Sequence, residues 1–390
     1  MKVSAPQVRR RSSGPLTARA AQTIVRAMVS DGIARRLADL VGFDTQNPTG
    51  NERPLVDKLA VDLAALGADS VETFAAGSHH AVLARFGPAP RLLLNAHVDT
   101  VPANAGYTSP AHTLIERGGR LHGLGSADTK GAIAAILDAI ALRVAAGRRP
   151  NGVAVLFSGD EESGSSVARA FLASGRAAGF ERAIVCEPTG CRVGHRHRGI
   201  ATAEVVARSP GGHSSRADEL PSPIVTLARV AVALDAFGKS RRTLGPPGFT
   251  GLCLNVAAID GGLAFNVIPT IARLCMSLRP GPGVESEAVL AAAEADARRA
   301  AAPDAIEWTV VRAKPAYATR DLAAFAPLLG ERVREPIDLA FWTEAALFAA
   351  AGIDAVVFGP GDIAQAHAAD EFVTLAQLES ARDAFLQVLG

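Results

Sequence analysis

The stretch Leu92-Leu93-Leu94-Asn95-Ala96-His97-Val98-Asp99 joins a short apolar run to a histidine and, two positions on, an aspartate. Arg91 to Ala96, and later Val153 to Phe157, are apolar runs bounded by Pro, Asn and Gly. Runs of that kind are strands covered on both faces. Ala183 to Cys186 and Ala355 to Phe358 repeat the pattern. Between and around them, Ala34 to Val41 and Pro54 to Leu66 carry apolar residues at three- and four-residue spacing and read as amphipathic helices. Ile133 to Val144, Val167 to Ala173, Leu322 to Val333 and Leu375 to Leu389 are read as helices too. Helices alternating with buried strands predict an α/β domain with a largely parallel sheet. In such sheets, sites lie outside the carboxyl ends of strands.

The rhythm changes after about Arg196. Strands are expected at Gly199 to Ala207, Gly251 to Ile259, Ile268 to Leu278 and Ile306 to Val311, with helices at Pro223 to Phe237 and Glu285 to Ala300. Strand-helix-strand-strand-helix-strand is the split ferredoxin-like α+β unit. The expected organisation is a catalytic domain at 32–196 and 313–390, interrupted by an inserted domain at 197–312. Residues 1–31 form a basic extension, with Lys2, Arg9, Arg10, Arg11, Arg19 and Arg26 ahead of the first acid, Asp31. They read as a disordered segment, or as sequence upstream of an initiator at Met28, and show no secretory core.

Five segments end in potential metal ligands: His97 with Asp99, Asp128 in Gly123-Leu124-Gly125-Ser126-Ala127-Asp128, Glu161 and Glu162 in Ser158-Gly159-Asp160-Glu161-Glu162, Glu187 after Cys186, and His367 after Gln365-Ala366. Each alone has a bland reading: a chance His-x-Asp, a helix N-cap, a solvated acidic turn, a loop histidine. Together they supply two imidazoles and several carboxylates, a mixed N/O set suited to zinc, with cobalt or manganese as substitutes. Asp99, at i+2 in a strand, can lie behind the His97 ring and fix its tautomer. Glu161 and Glu162 on extended backbone point to opposite sides, so one can ligate while the other reaches a water. His213, in Gly211-Gly212-His213-Ser214-Ser215, is a candidate donor to an oxyanion, and Arg279 a candidate clamp for a substrate carboxylate. His79, His80, His112, His122, His195 and His197 fit no ligand spacing.

A formal net charge of +1 gives no reason to expect nucleic acid or an anionic membrane as partner. Four cysteines without a Cys-x-x-Cys pair read as thiols in a reducing, cytoplasmic compartment. No apolar stretch reaches the length of a membrane span.

On these residues the chain resembles the di-zinc aminoacylase, carboxypeptidase G and succinyl-diaminopimelate desuccinylase superfamily, from about Ile33 to Gly390. The resemblance implies His97, Asp128 and Glu187 on one zinc, and Asp128, Glu162 and His367 on the other. It implies Asp99 as the carboxylate behind the ligands and Glu161 as general acid/base. It further implies an inserted domain that is lid and homodimer interface, with His213 reaching the partner's active site and with Asn266 and Arg279 in family positions. Phe341-Trp342-Thr343-Glu344-Ala345 and the segment from Gly359 to Asp370 narrow the likeness to deacetylases of acetylated amino acids, with N-acetylcitrulline or N-acetylornithine as the implied small-molecule substrate and Glu344 on the substrate side. Two rival readings are a dipeptidase, desuccinylase or other amidohydrolase with the same ligands, and a non-catalytic, metal-stabilised amino-acid binding protein. The intact Glu161 argues against the second.

Overall fold

The computed structural model describes residues 32–48 and 51–390, so the expectations for 1–31 lie outside the described residues. The chain divides into two compact units. The first holds the chain up to His195, Thr319–Ile337 and Thr343–Gly390; the second holds Arg196–Ala318 and Asp338–Trp342. The short return of Asp338–Trp342 to the second unit has a local cause. The Arg196 guanidinium forks onto the Asp338 carboxylate with both bonds at 2.8 Å, and the Lys314 ammonium sits 3.8 Å from the centre of the Trp342 ring.

In the first unit six strands lie side by side in the order Ser70–Ala76, His79–Phe86, Val153–Ser158, Leu92–His97, Arg182–Val185, Asp354–Val357. The last four pair in parallel, while the first two form a hairpin attached antiparallel. Every residue of Leu92–His97 and Val153–Ser158 is buried, which is why they show no alternation in sequence. The helix Lys130–Ala145 is buried without a break from Lys130 to Ala141 and packs on the closing helix Leu375–Val388. Its one buried acid, Asp138, accepts a hydrogen bond from Arg36 Nη2 at 3.0 Å. Removing either partner of such a pair costs about 3–5 kcal/mol, because the other charge is stranded.

Several elements depart from the sequence reading, among them a hairpin and a helix. The hairpin Ser70–Phe86 was not anticipated; its clearest signal is the turn at Gly77, with φ 63°. The helix expected at Leu322 to Val333 breaks into 3-10 turns at Leu322–Phe325 and Gly330–Val333 around one α-turn, Ala326–Leu329. Pro327 has no N–H to donate, and Gly330, at φ 60°, ends the turn.

The second unit is a four-stranded antiparallel sheet in the order Asn255–Gly261, Ile271–Leu278, Ile200–Arg208, Ile306–Lys314. Ala201, Ala203, Val205 and Ala207 point into a core shared with Leu227, Val230 and Leu234 of helix Pro223–Ser240 and with Leu290, Ala293 and Ala297 of helix Ser286–Ala301. This is the ferredoxin-like α+β arrangement. Among the described residues no helix is long and apolar enough to cross a membrane.

Candidate metal centre and catalytic site

Four adjacent parallel strands end at one edge of the first unit's sheet, and their register sets what they deliver there. His97 closes its strand opposite Ser158. Val185 lies opposite Asn95, so Glu187, two residues on, emerges level with His97. Val357 lies opposite Val185, and beyond it Gly359 packs on Glu187: a Cβ at Gly359 would stand 2.7 Å from the Glu187 carbonyl oxygen. The loop bearing His367 starts here. Asp128 arrives separately, in the loop that opens helix Lys130–Ala145. That loop turns at Gly125, with φ 77°, where a Cβ would meet Thr100 Cγ2 at 2.7 Å.

These side chains converge. His97 Nδ1 donates to the Asp99 carbonyl oxygen at 3.0 Å, which leaves Nε2 facing Asp128 Oδ1 at 2.9 Å. His367 Nε2 lies 3.1 Å from Glu162 Oε1 and 3.5 Å from Asp128 Oδ2. Asp128 therefore stands between the two imidazoles. One ligand atom each from His97, Asp128 and Glu162 lie within 4.8 Å of one another. His367 holds its place with a left-handed backbone, φ 59°, a conformation uncommon for a residue with a side chain.

Asp99 does more than the sequence expectation gave it. The tautomer of His97 is set chiefly by the Asp99 backbone carbonyl; the carboxylate Oδ1 is further from Nδ1, at 3.5 Å. The carboxylate also accepts the backbone N–H groups of Glu161 (3.2 Å) and Glu162 (3.1 Å), and the Asn47 amide at 2.5 Å. The Glu161-Glu162 pair is likewise not on extended backbone. Residues 161–164 form a turn that follows Asp160 at φ 70°, so turn geometry and Asp99, not strand alternation, separate the two carboxylates.

The electrostatics of these side chains call for added positive charge. Burial, then the charge of Asp128, pushes the Glu187 carboxyl well above its ordinary value, and the same two causes raise Glu162. Burial disfavours a charged His97, yet its hydrogen bonds with Asp128 and Asp99 hold its pKa well above the usual imidazole value. Hydrogen bonds with Asp128 and Glu162 lift His367 to about 10. Buried carboxylates crowded around two imidazoles are the donor set that divalent cations satisfy, displacing protons as they bind. The residues fit a metal centre. Glu161, half-buried on the same turn, is close enough for its charge to be felt at Glu187.

Sequence reasoning missed the brace behind this turn. Glu52, fully buried, accepts from His79 Nδ1 at 2.7 Å and from the His80 N–H at 2.8 Å. His79 Nε2 lies 3.6 Å from Asp160 Oδ1, and Asp160 also accepts from Ser163 Oγ and the Ser166 N–H. The available signal was Gly159, where a Cβ would run into the Glu52 carboxylate. Because the brace fixes the turn without touching substrate, His79→Ala is expected to lower kcat about 10- to 100-fold at nearly constant KM. Steady-state kinetics check this; an unchanged kcat would show that the turn holds without the brace.

The remaining expected residues lie elsewhere. His213 and Asn266 are neighbours within the second unit: Gly212–His213 pairs with Val267–Ile268, and the Ser214 N–H donates to the Asn266 carbonyl at 3.0 Å. The His213 ring meets Ser215 Oγ at 2.9 Å. Arg279, also in the second unit, ends the strand Ile271–Leu278. Glu344 belongs to the first unit but is only 1% exposed, with Oε2 3.4 Å from the Ser158 hydroxyl, in the packed base of the strand ends.

The profile of peptidase family M20/M25/M40 matches residues 93–390. An N-acetyl-L-citrulline deacetylase from Xanthomonas campestris pv. campestris is 36% identical over 358 residues, covering 88% of this chain and 93% of that protein. An acetylornithine deacetylase from Myxococcus xanthus is 35% identical over 296 residues, covering 74% and 76%. Among solved structures, an M20 family metallo-carboxypeptidase, Sso-CP2 from Sulfolobus solfataricus, shares the fold with a TM-score of 0.76 at 18% identity, over 92% of this chain and 98% of that one. Sequence and fold agree over both units: the chain belongs to peptidase family M20/M25/M40, a family of metal-dependent hydrolases.

Proposed function

We propose that this protein removes the acetyl group from an N-acetylated amino acid in arginine synthesis, taking N-acetylcitrulline ahead of N-acetylornithine. The observation that carries the chemistry is the convergence of His97, Asp128 and Glu162 on one another, with His367 against Asp128 and Glu162 beside them. The substrate class rests on the two deacetylases that resemble the chain over most of its length. His97, Asp128 and Glu187 would hold one divalent cation, and Asp128, Glu162 and His367 a second; zinc suits the donors, with cobalt as a substitute. Bound there, such a pair lowers the pKa of water and polarises an amide carbonyl.

The chain's own residues do the rest. Glu161 accepts the proton from the water as its oxygen bonds to the acetyl carbon. It returns that proton to the α-nitrogen as the C–N bond breaks, giving acetate and the free amino acid. Asp99 keeps Glu161 and Glu162 in register by holding their N–H groups. His213, Asn266 and Arg279 are the proposed contacts to the oxyanion and the substrate carboxylate, on the family resemblance. A second copy of the chain is the proposed partner of the second unit. There the strand Asn255–Gly261 is a sheet edge, and Ile259, Leu263 and Phe265 are exposed in and beside it.

Amine release from Nα-acetylcitrulline, Nα-acetylornithine, an N-succinyl amino acid and a dipeptide, with zinc- or cobalt-loaded protein and a chelator control, tests the reading. Acetylcitrulline is expected to turn over about 100-fold faster in kcat/KM than acetylornithine, since a pocket built for a neutral ureido group strands its polar partners against an ammonium. Turnover confined to the succinyl or dipeptide substrates would overturn the acetyl assignment. Binding of acetylcitrulline without turnover would make the chain a binding protein.

A further inference from the structure

The loop that presents Asp128 is gripped from behind by a side chain that takes no part in the chemistry above. Glu371 is 2% exposed and accepts three backbone N–H groups from that loop. Oε2 takes Gly125 at 2.8 Å, and Oε1 takes Ala127 at 2.8 Å and Asp128 itself at 3.0 Å. The Glu371 carbonyl takes the Gly123 N–H at 2.9 Å. Burial, then the charge of Asp128, pushes the Glu371 carboxyl up to about 7, and the three N–H groups work against that rise; backbone donors converging on one carboxylate form a nest. Lys130 stands at the other end of the loop, fully buried, with its Nζ donating to the Phe43 carbonyl at 2.9 Å; burial pushes its ammonium down to about 8, against which Glu371 is the foremost of the acids that favour the charged form.

The residue before the clamp fastens a further segment. Asp370, at φ 55°, accepts the Thr108 N–H at 2.8 Å and the Thr108 hydroxyl at 2.7 Å, and its carbonyl accepts from His122 Nδ1 at 2.9 Å. His367 lies only a few residues upstream on the same short connection. The dipeptide Asp370-Glu371 thus holds the Asp128 loop directly, and His367 stands three residues before it in the chain.

We propose that Glu371 is a positioning residue for the metal centre, its carboxylate shaping the 123–128 loop so that Asp128 reaches the space between His97 and His367. The proposal rests on the two-cation reading of the site. Glu371→Gln keeps the size of the side chain but sets an amide N–H against one of the backbone donors, so the three-point grip is lost. Glu371→Asp, which keeps the charge and shortens the reach, is the second variant.

Two measurements decide it. Zinc affinity, read by competition with a chromophoric chelator, is expected to fall 10- to 100-fold in both variants. Amide hydrogen exchange of the metal-free protein is expected to quicken at least about tenfold across 123–129, with exchange in the helix Pro223–Ser240 unchanged. Zinc affinity within twofold of wild type together with unchanged exchange at 123–129 would overturn the proposal. So would exchange that quickens throughout the first unit, which would make Glu371 a residue of the fold and not of the site. Wild-type protein that takes up no zinc would sink the cation reading by itself, and the exchange measurement would still judge the clamp.

Discussion

Glu161→Gln is expected to keep its cations and lose its turnover. The substitution leaves the backbone N–H that Asp99 holds at 3.2 Å, so the turn and the neighbouring Glu162 stay where they are. What disappears is the carboxylate proposed to carry a proton from water to the leaving nitrogen. General acid–base catalysis is worth about 10²–10⁴ in rate, and here one residue performs both transfers. A fall in kcat of roughly 10³–10⁴ is therefore expected, with zinc content by elemental analysis equal to wild type. A variant retaining a tenth of the wild-type rate would remove Glu161 from the proton path.

Asp128→Ala should do more damage, and of another kind. Asp128 is the one carboxylate in contact with both imidazoles, 2.9 Å from His97 Nε2 and 3.5 Å from His367 Nε2. Its own pKa is held far below the usual carboxylate range: burial opposes ionisation, but the hydrogen bonds from His367 and His97 outweigh it. On the two-cation reading proposed above, removing it would take a ligand from both sites at once. Several kcal/mol of transition-state stabilisation depend on the metal pair, which corresponds to a rate loss of about 10³ or more. Elemental analysis after gel filtration should show less than one zinc per chain, and added zinc should not restore the rate. Wild-type zinc content in this variant would show that Asp128 does not join the two sites.

The parts of the molecule that bury apolar surface were legible in the sequence, because burial dictates composition. Leu92–His97 and Val153–Ser158 are mostly apolar because every position in them is buried. Three of the proposed ligand segments were legible for a related reason: His97, Glu162 and Glu187 close or follow such a run, whereas Asp128 comes from the loop ahead of a helix. The supports were not. Glu52 and Glu371 act by accepting backbone N–H groups, and any residue supplies those, so no spacing betrays them. Asp338 joins the second unit through a bond to Arg196, 142 residues away. Asp99 shows the limit from the other side: strand periodicity named the residue and put its carboxylate near the His97 ring, but nothing in it pointed to the N–H groups of Glu161 and Glu162 that the carboxylate also holds.

The second unit is spelled out in the middle of the first, and that has a consequence during synthesis. The strand Arg182–Val185 leaves the ribosome long before Asp354–Val357, its neighbour in the sheet. At about 5–20 residues per second the interval is roughly 10–30 s. For that time Ala183, Ile184 and Val185 form an unpaired apolar edge of the kind that invites pairing with other chains. His97, Asp128, Glu162 and Glu187 have by then all been made, yet the set waits for His367. The second unit's own antiparallel sheet, by contrast, is continuous in sequence from Ile200 to Lys314 and can close while the nascent first unit still lacks Asp354–Val357 and Phe372–Thr374.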